Sequence, residues 1–274
     1  MMRNGGIDAS RLICAFGIAW FHSGAPGARV AYLALPFFLV LLAMPSGAGM
    51  AQRATRLLRP WVVWSAIYAA VNTAMALRNG LDPLSWAKPE MVLYGPLIAL
   101  WFLPFAALLG FALRGLDGHP NAALIAPIVG AVAVALFPAN AMPPLNQWAF
   151  GLVPVVAGAA FFGRSGRGRG AAFVSLGLAF AVLHVVRPHS DNITILAGTA
   201  AAMTLFMVPI PASRSTAWAA RMSFSIYLIH PLVLIAGHTL NLHGVALGVA
   251  VIAGSFAYAV ALDAAGGPLR RLLT

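Results

Sequence analysis

The sequence predicts an all-α bundle of about ten membrane-crossing helices. Three observations carry that reading: the composition, the recurrence of long apolar runs and the placement of the arginines. The 274-residue chain is 61% hydrophobic and 8% charged, with a mean hydropathy of +0.87, far outside the range of soluble domains. Apolar runs recur at lengths that cross a hydrocarbon core about 30 Å thick. A formal charge of +11 would point to nucleic acid in a soluble chain. Here the arginines sit in short loops between apolar runs, so topology accounts for them and no nucleic-acid partner is expected. Cys14 is the single cysteine, which excludes a disulfide framework and says nothing of redox compartment.

In chain order the expected spans are 7–24, 30–50, 59–77, 91–113, 121–138, 147–163, 170–187, 193–210, 222–239 and 244–263, forming one membrane-embedded domain over residues 1–274. Helix-breaking or basic residues mark the junctions. Gly24, Pro26 and Gly27 separate the first two spans, and Arg53, Arg56 and Arg59 precede the third. Asn79 and Gly80 follow the third, Arg114 and Pro120 divide the fourth from the fifth, and Pro143 and Pro144 precede the sixth. Arg164, Arg167 and Arg169 open the seventh, Arg187 and Pro188 close it, and Pro209, Pro211 and Asn241 bound the ninth. The first span resembles a secretory signal, with Arg3 before it and small residues after it. Arg11, however, falls beside the apolar core of any such signal, so a retained helix is expected.

Charge placement then orients the bundle. With ten spans, both termini share a side with Arg3, Arg53, Arg56, Arg59, Arg114, Arg164, Arg167, Arg169, Arg214, Arg221, Arg270 and Arg271. The opposite side holds Arg29, Arg78, Lys88 and Arg187. Positive residues accumulate on the cytoplasmic side, so both termini are expected there. His189, Asp191, His238 and His243 then fall in outer loops. His238 and His243 are spaced for metal ligation but lack a third ligand pattern, so no metal is expected and a solvated loop is the simpler reading.

The first span carries Arg11 and His22, eleven residues apart. At about 100° per residue they share a face, and at 1.5 Å per residue they lie roughly 16 Å apart along the axis. An ionisable residue inside a membrane marks a functional site by default. Arg11 could also snorkel to headgroups while pairing with Asp8. Histidine accepts a proton at neutral pH, which suits it to activating a hydroxyl.

Ile7-Asp8-Ala9-Ser10-Arg11, followed by His22, resembles the opening of acyltransferase family 3, the bacterial membrane-bound O-acyltransferases that modify surface and exported glycans. Arg53-Ala-Thr-Arg56-Leu-Leu-Arg59-Pro60 resembles the basic segment opening the family's third helix. Leu100-Trp101-Phe102-Leu103 resembles its Trp-Phe-Leu motif, and Ser223-Phe-Ser225-Ile-Tyr227-Leu-Ile-His230-Pro231 its late Ser-Tyr-Leu-His-Pro motif. Two stretches depart from the family pattern: Met44-Pro45-Ser46-Gly47 replaces a Phe-Ser-Gly ending, and Asp263 before Pro268 replaces a Glu near a Pro.

The resemblance implies a multi-pass protein of the bacterial inner membrane that moves an acyl group, foremost acetyl, from cytoplasmic acyl-CoA to a glycan hydroxyl. It implies no permanently bound cofactor. His22 is the expected general base, with Arg11, on the same helix face but towards the donor side, as a second catalytic candidate. Arg53 and Arg56 are expected to bind the phosphates of coenzyme A, because guanidinium groups pair bidentately with phosphate. Arg59 is assigned to helix structure, and Pro60 is expected in the first turn of the third helix. Trp101, Tyr227 and His230 are substrate-binding candidates, with helix packing as their competing role. Two other functions use the same features: a transporter or flippase for a glycan or small anion, and a catalytically inactive family member. No inverted repeat and no acidic relay favour transport.

Overall fold

The computed structural model describes residues 4–44, 49–113, 119–138, 141–162 and 164–274. It is all-helical among these residues, with 80% helix and no strand. Its elements are α1 (Gly5–His22), α2 (Ala28–Ala31), α3 (Ala34–Leu41), α4 (Met50–Arg78), α5 (Met91–Tyr94), a 3₁₀ turn (Ile98–Trp101), α6 (Phe102–Ala112) and α7 (Pro120–Leu136). They continue with α8 (Leu145–Phe162), α9 (Arg167–Val186), α10 (Ser190–Met207), α11 (Arg214–Thr239), α12 (Gly244–Ala265) and α13 (Gly267–Leu273).

Helix occupies each of the ten expected segments, but among the described residues five helices are long and apolar enough to cross a membrane: Ala51–Arg78, Leu145–Phe162, Arg167–Val186, Arg214–Thr239 and Gly244–Ala265. The segments Ala28–Leu41, Ile98–Ala112, Asn121–Leu136 and Asp191–Met207 are apolar but shorter. The bundle wears its apolar residues outward: Val185 is 80% exposed and Leu136 75%. In water such a surface would drive aggregation; in lipid it is the expected exterior. Arg3, Arg114 and the Pro45-Ser46-Gly47 departure lie outside the described residues.

The α1 helix starts where its sequence supplies a cap. The Asn4 side chain accepts from the Gly6 and Ile7 amides, satisfying donors that a helix N-terminus leaves unpaired. Its own amide donates to the Val208 carbonyl at 2.9 Å, which ties the cap to the end of α10. From there α1 runs along α11 and also meets α3, α10 and α12. Ala15, Met222, Ile226 and Ala259 form the buried seam of this central group.

Against it lies α3, only eight residues long, with Ala34, Pro36, Phe37, Leu39, Val40 and Leu41 buried. It packs between α8 and α10 by backbone approach: a Cβ at Gly198 would stand 2.5 Å from the Leu33 carbonyl oxygen. Small residues permit such contact where lipid provides no hydrophobic driving force between helices.

The third expected span begins earlier than anticipated. Helix α4 opens at Met50, so Pro60 lies inside it rather than in its first turn. Arg53, Arg56 and Arg59 therefore ride on the opening turns of α4 instead of preceding it. Membrane helices tolerate an internal proline when neighbouring groups satisfy the freed carbonyl.

Replacing Gly198 with Leu is expected to force α3 and α10 apart and to lower stability by about 1–3 kcal/mol, the usual cost of overpacking. Thermal unfolding of the purified protein, followed by size-exclusion chromatography, checks this; an unchanged midpoint would contradict the close approach.

Candidate active site

The site is organised by a break in α11. Pro231 has no amide hydrogen, so the carbonyl of Tyr227, four residues earlier, lacks its helical donor. The His230 ring takes that place, with Nδ1 2.7 Å from the Tyr227 oxygen. A carbonyl only accepts, so Nδ1 carries the hydrogen and the neutral ring keeps its lone pair on Nε2. His230 is 1% exposed, and its Nε2 makes no protein hydrogen bond. Beside the break, the Leu228 carbonyl accepts from the Tyr68 hydroxyl of α4 at 2.7 Å.

His22, the last residue of α1, stacks on this held ring with centroids 5.2 Å apart and planes inclined by 29°. His22 is exposed where His230 is buried, giving one accessible imidazole against one fixed imidazole. The Tyr227 ring lies 6.0 Å from His230. Its hydroxyl donates to the Ala99 carbonyl, so that proton is already committed.

Tyr227 also lines a cavity of about 570 Å³. Ile18, Leu35, Phe38, Phe102 and Phe224 supply its apolar wall, while Arg11, Arg53, Arg56, Arg221 and Arg270 supply charge. Most of these guanidinium groups are anchored. Arg11 lies 3.7 Å from Asp8 one turn earlier. Arg53 donates to the Leu42 carbonyl at the end of α3, where a helix C-terminus leaves oxygens unpaired. Asp263 of α12 draws in both Arg270 at 2.8 Å and Arg221 at 3.5 Å. Arg56 is exposed at the rim.

The structure thus brings Arg11, Arg53, Arg56 and Tyr227 to one cavity, while His22 and His230, stacked on each other and reached through the Tyr227 ring, do not line it. It does not bring Trp101 there. Trp101 is 7% exposed, packs at 5.3 Å on Phe105 and joins a cluster with Leu39 and Tyr94. The neighbouring Phe102 lines the cavity instead, because one residue along a helix turns the side chain by about 100°. Arg221, Arg270 and Asp263 were not expected at the site. The available signal was an acidic residue at the end of an apolar span, which calls for a cationic partner. Elsewhere, His184 stacks on Phe180 at 5.5 Å, and His189 pairs with Asp191 at 3.4 Å. His238 and His243 lie 6.5 Å apart ring to ring, and no group of three metal-ligating side chains occurs among the described residues.

An apolar helical bundle that carries a basic cavity and a stacked imidazole pair defines the class: a multi-pass membrane protein. The model of the family 3 acyltransferase domain matches residues 4–264. The chain belongs to that family and is, in general terms, a membrane acyltransferase. No curated protein and no solved structure matches it.

His230→Leu leaves the Tyr227 carbonyl buried without a donor, at an expected cost of about 1–3 kcal/mol. His230→Asn carries an amide N–H at a similar position and should lose less. Thermal unfolding of the two variants compares them, and equal losses would remove the hydrogen bond as the cause.

Proposed function

We propose that the chain transfers an acyl group, in the first place acetyl, from cytoplasmic acyl-CoA to a hydroxyl of a surface or exported glycan. The observation that carries this reading is the accessible His22 ring stacked on His230, just beyond a cavity ringed by arginines. The arginine-rich end faces the cytoplasm in a ten-span arrangement of the inner membrane, with both termini inside. That orientation follows from the loop charges. The N-terminal halves of α1, α4 and α11 all contribute arginines to the same cavity, which fits one common side for those helix ends.

Coenzyme A enters at that end, its diphosphate against Arg56 and Arg53, with Arg11 deeper in. The apolar wall of Phe38, Phe102 and Phe224 suits the pantetheine arm and brings the thioester to the level of Tyr227. The glycan hydroxyl approaches from the His22 side. His22 removes the hydroxyl proton as the oxygen attacks the thioester carbonyl carbon. The tetrahedral intermediate collapses by breaking the carbon–sulfur bond, and the departing thiolate recovers the proton from the His22 imidazolium. The products are the glycan ester and free coenzyme A, with no net proton change.

His230 acts through His22. Its ring is held by the Tyr227 carbonyl, and the stacked face restricts how the His22 imidazole turns. Positioning of this kind keeps the reacting atoms in line and is worth much of a barrier. Tyr227 contributes as part of the chamber wall, and its hydroxyl remains with Ala99.

Release of coenzyme A thiol by purified protein, supplied with acetyl-CoA and a glycan acceptor, tests the assignment. His22→Ala is expected to lower acceptor-dependent release by about 10²–10⁴-fold, the range for loss of a general base. Expression and the size-exclusion profile should stay unchanged. Wild-type turnover by that variant would overturn the role of His22. Glycan movement without thiol release would identify a transporter instead.

A further inference from the structure

The ring contacts that meet at His22 continue beyond it. Phe21, its neighbour in α1, has its ring 5.2 Å from the His22 ring and stacks on Tyr32 at 4.3 Å with planes inclined by 23°. Tyr32 packs in turn on Phe150 of α8 at 5.3 Å. Rings from α1 and α8 therefore fix the orientation of the Tyr32 side chain, which closes α2 just before α3 begins. The far end of α3 meets Arg53 through the Leu42 carbonyl. Tyr32 thus stands at the opposite end of that helix from the arginine-lined cavity.

Polar groups around this ring have places left for a ligand. The Tyr32 hydroxyl makes no hydrogen bond with a described residue. Gln147 lies three residues before Phe150, hence on the same side of α8, and its Oε1 is buried with no donor. Asp191, in the first turn of α10, is half-exposed beside His189. Gly198 of that helix meets the Leu33 carbonyl. Seven residues earlier is nearly two full turns, so Asp191 shares that face and stands roughly 10 Å further along the axis. Its charge reaches the Tyr32 hydroxyl. A hydroxyl, a carboxamide oxygen and a carboxylate together call for a ligand rich in O–H donors. A buried acceptor left bare costs free energy, which such a ligand recovers.

We propose that Tyr32, Gln147 and Asp191 form a subsite that reads the hydroxyls next to the one acylated, so that the acceptor is selected as a polyhydroxylated ring rather than as a lone alcohol. The inference rests on a glycan as acceptor and adds which groups of this chain hold it. Two ring contacts separate Tyr32 from His22. A sugar unit lying along that row offers one hydroxyl to His22 and its neighbours to Tyr32 and Gln147. Asp191, further out, accepts from a hydroxyl of the same or the adjoining unit, and its charge strengthens that bond. Phe21 and Phe150 act through Tyr32 by holding its hydroxyl in place. The same rings without this chemistry would be helix packing alone, and the measurement below separates the two.

The experiment measures thiol release by the purified protein with acetyl-CoA and glycan taken from cells that lack the gene, freed of esters by mild base. Tyr32→Phe and Gln147→Leu are each expected to raise the glycan KM by about 2–10-fold, the range for a hydrogen bond between neutral groups. Asp191→Asn should raise it by about 10-fold or more, as for a bond to a charged group, and Asp191→Glu should recover part of the loss. The acetyl-CoA KM should hold in every variant. Gln147→Leu should leave the thermal unfolding midpoint unchanged or raise it, because a bare buried acceptor is removed. An unchanged glycan KM in Tyr32→Phe, Gln147→Leu and Asp191→Asn would overturn the subsite while leaving glycan acylation in place. Lowered unfolding midpoints with both KM values shifted together would reduce these residues to helix packing. Absence of glycan-dependent thiol release by the wild type would remove the glycan reading itself, and the subsite with it.

Discussion

The hydrogen bond from His230 to the carbonyl that Pro231 leaves unpaired is the interaction on which the rest of the chamber depends. A proline inside a membrane helix exposes a carbonyl with no water to satisfy it, and some neighbouring group must do so. Here the residue before the proline supplies the donor at 2.7 Å. The same bond sets the tautomer, buries the ring and creates the flat surface on which His22 rests. Tyr68 secures the adjacent Leu228 carbonyl from α4, so the weakest point of α11 is braced from two directions.

The basic cavity shows how charge is kept inside an apolar structure. Buried or half-buried cations are costly unless paired. Asp8 meets one within a single helix turn, and Asp263 meets two from separate helices. Arg53 uses a helix end as its counterweight. These partners hold the cations in place before any anion arrives. Groups ordered in advance lose less entropy when an anion binds them.

Much of this was legible in the sequence. The helical segments follow from runs of apolar residues with breakers between them. Arg11 and His22 share a face because helical geometry fixes their angular offset. The proximity of Tyr227, His230 and Pro231 is likewise set by three and four residue spacings. What sequence could not supply were contacts between distant helices. The start of α4 was misplaced because Pro60 reads as a helix opener, although ten earlier residues already form helix. Phe102 rather than Trp101 reaches the cavity because one residue along a helix turns the side chain by about 100°, and periodicity alone does not reveal which of the two faces it. Asp263 looked like a departure from a pattern until its two arginines were seen around it.

The stacked pair joins residues 22 and 230, which are made far apart during synthesis. The first helix enters the membrane long before α11 and α12 exist, and contacts so remote in sequence form late. During that interval Arg11 has Asp8 within its own helix, so the nascent segment carries its own neutralising group. The Asn4 contact with Val208 must likewise await the end of α10. The stacked pair is thus completed only once α11 has joined α1.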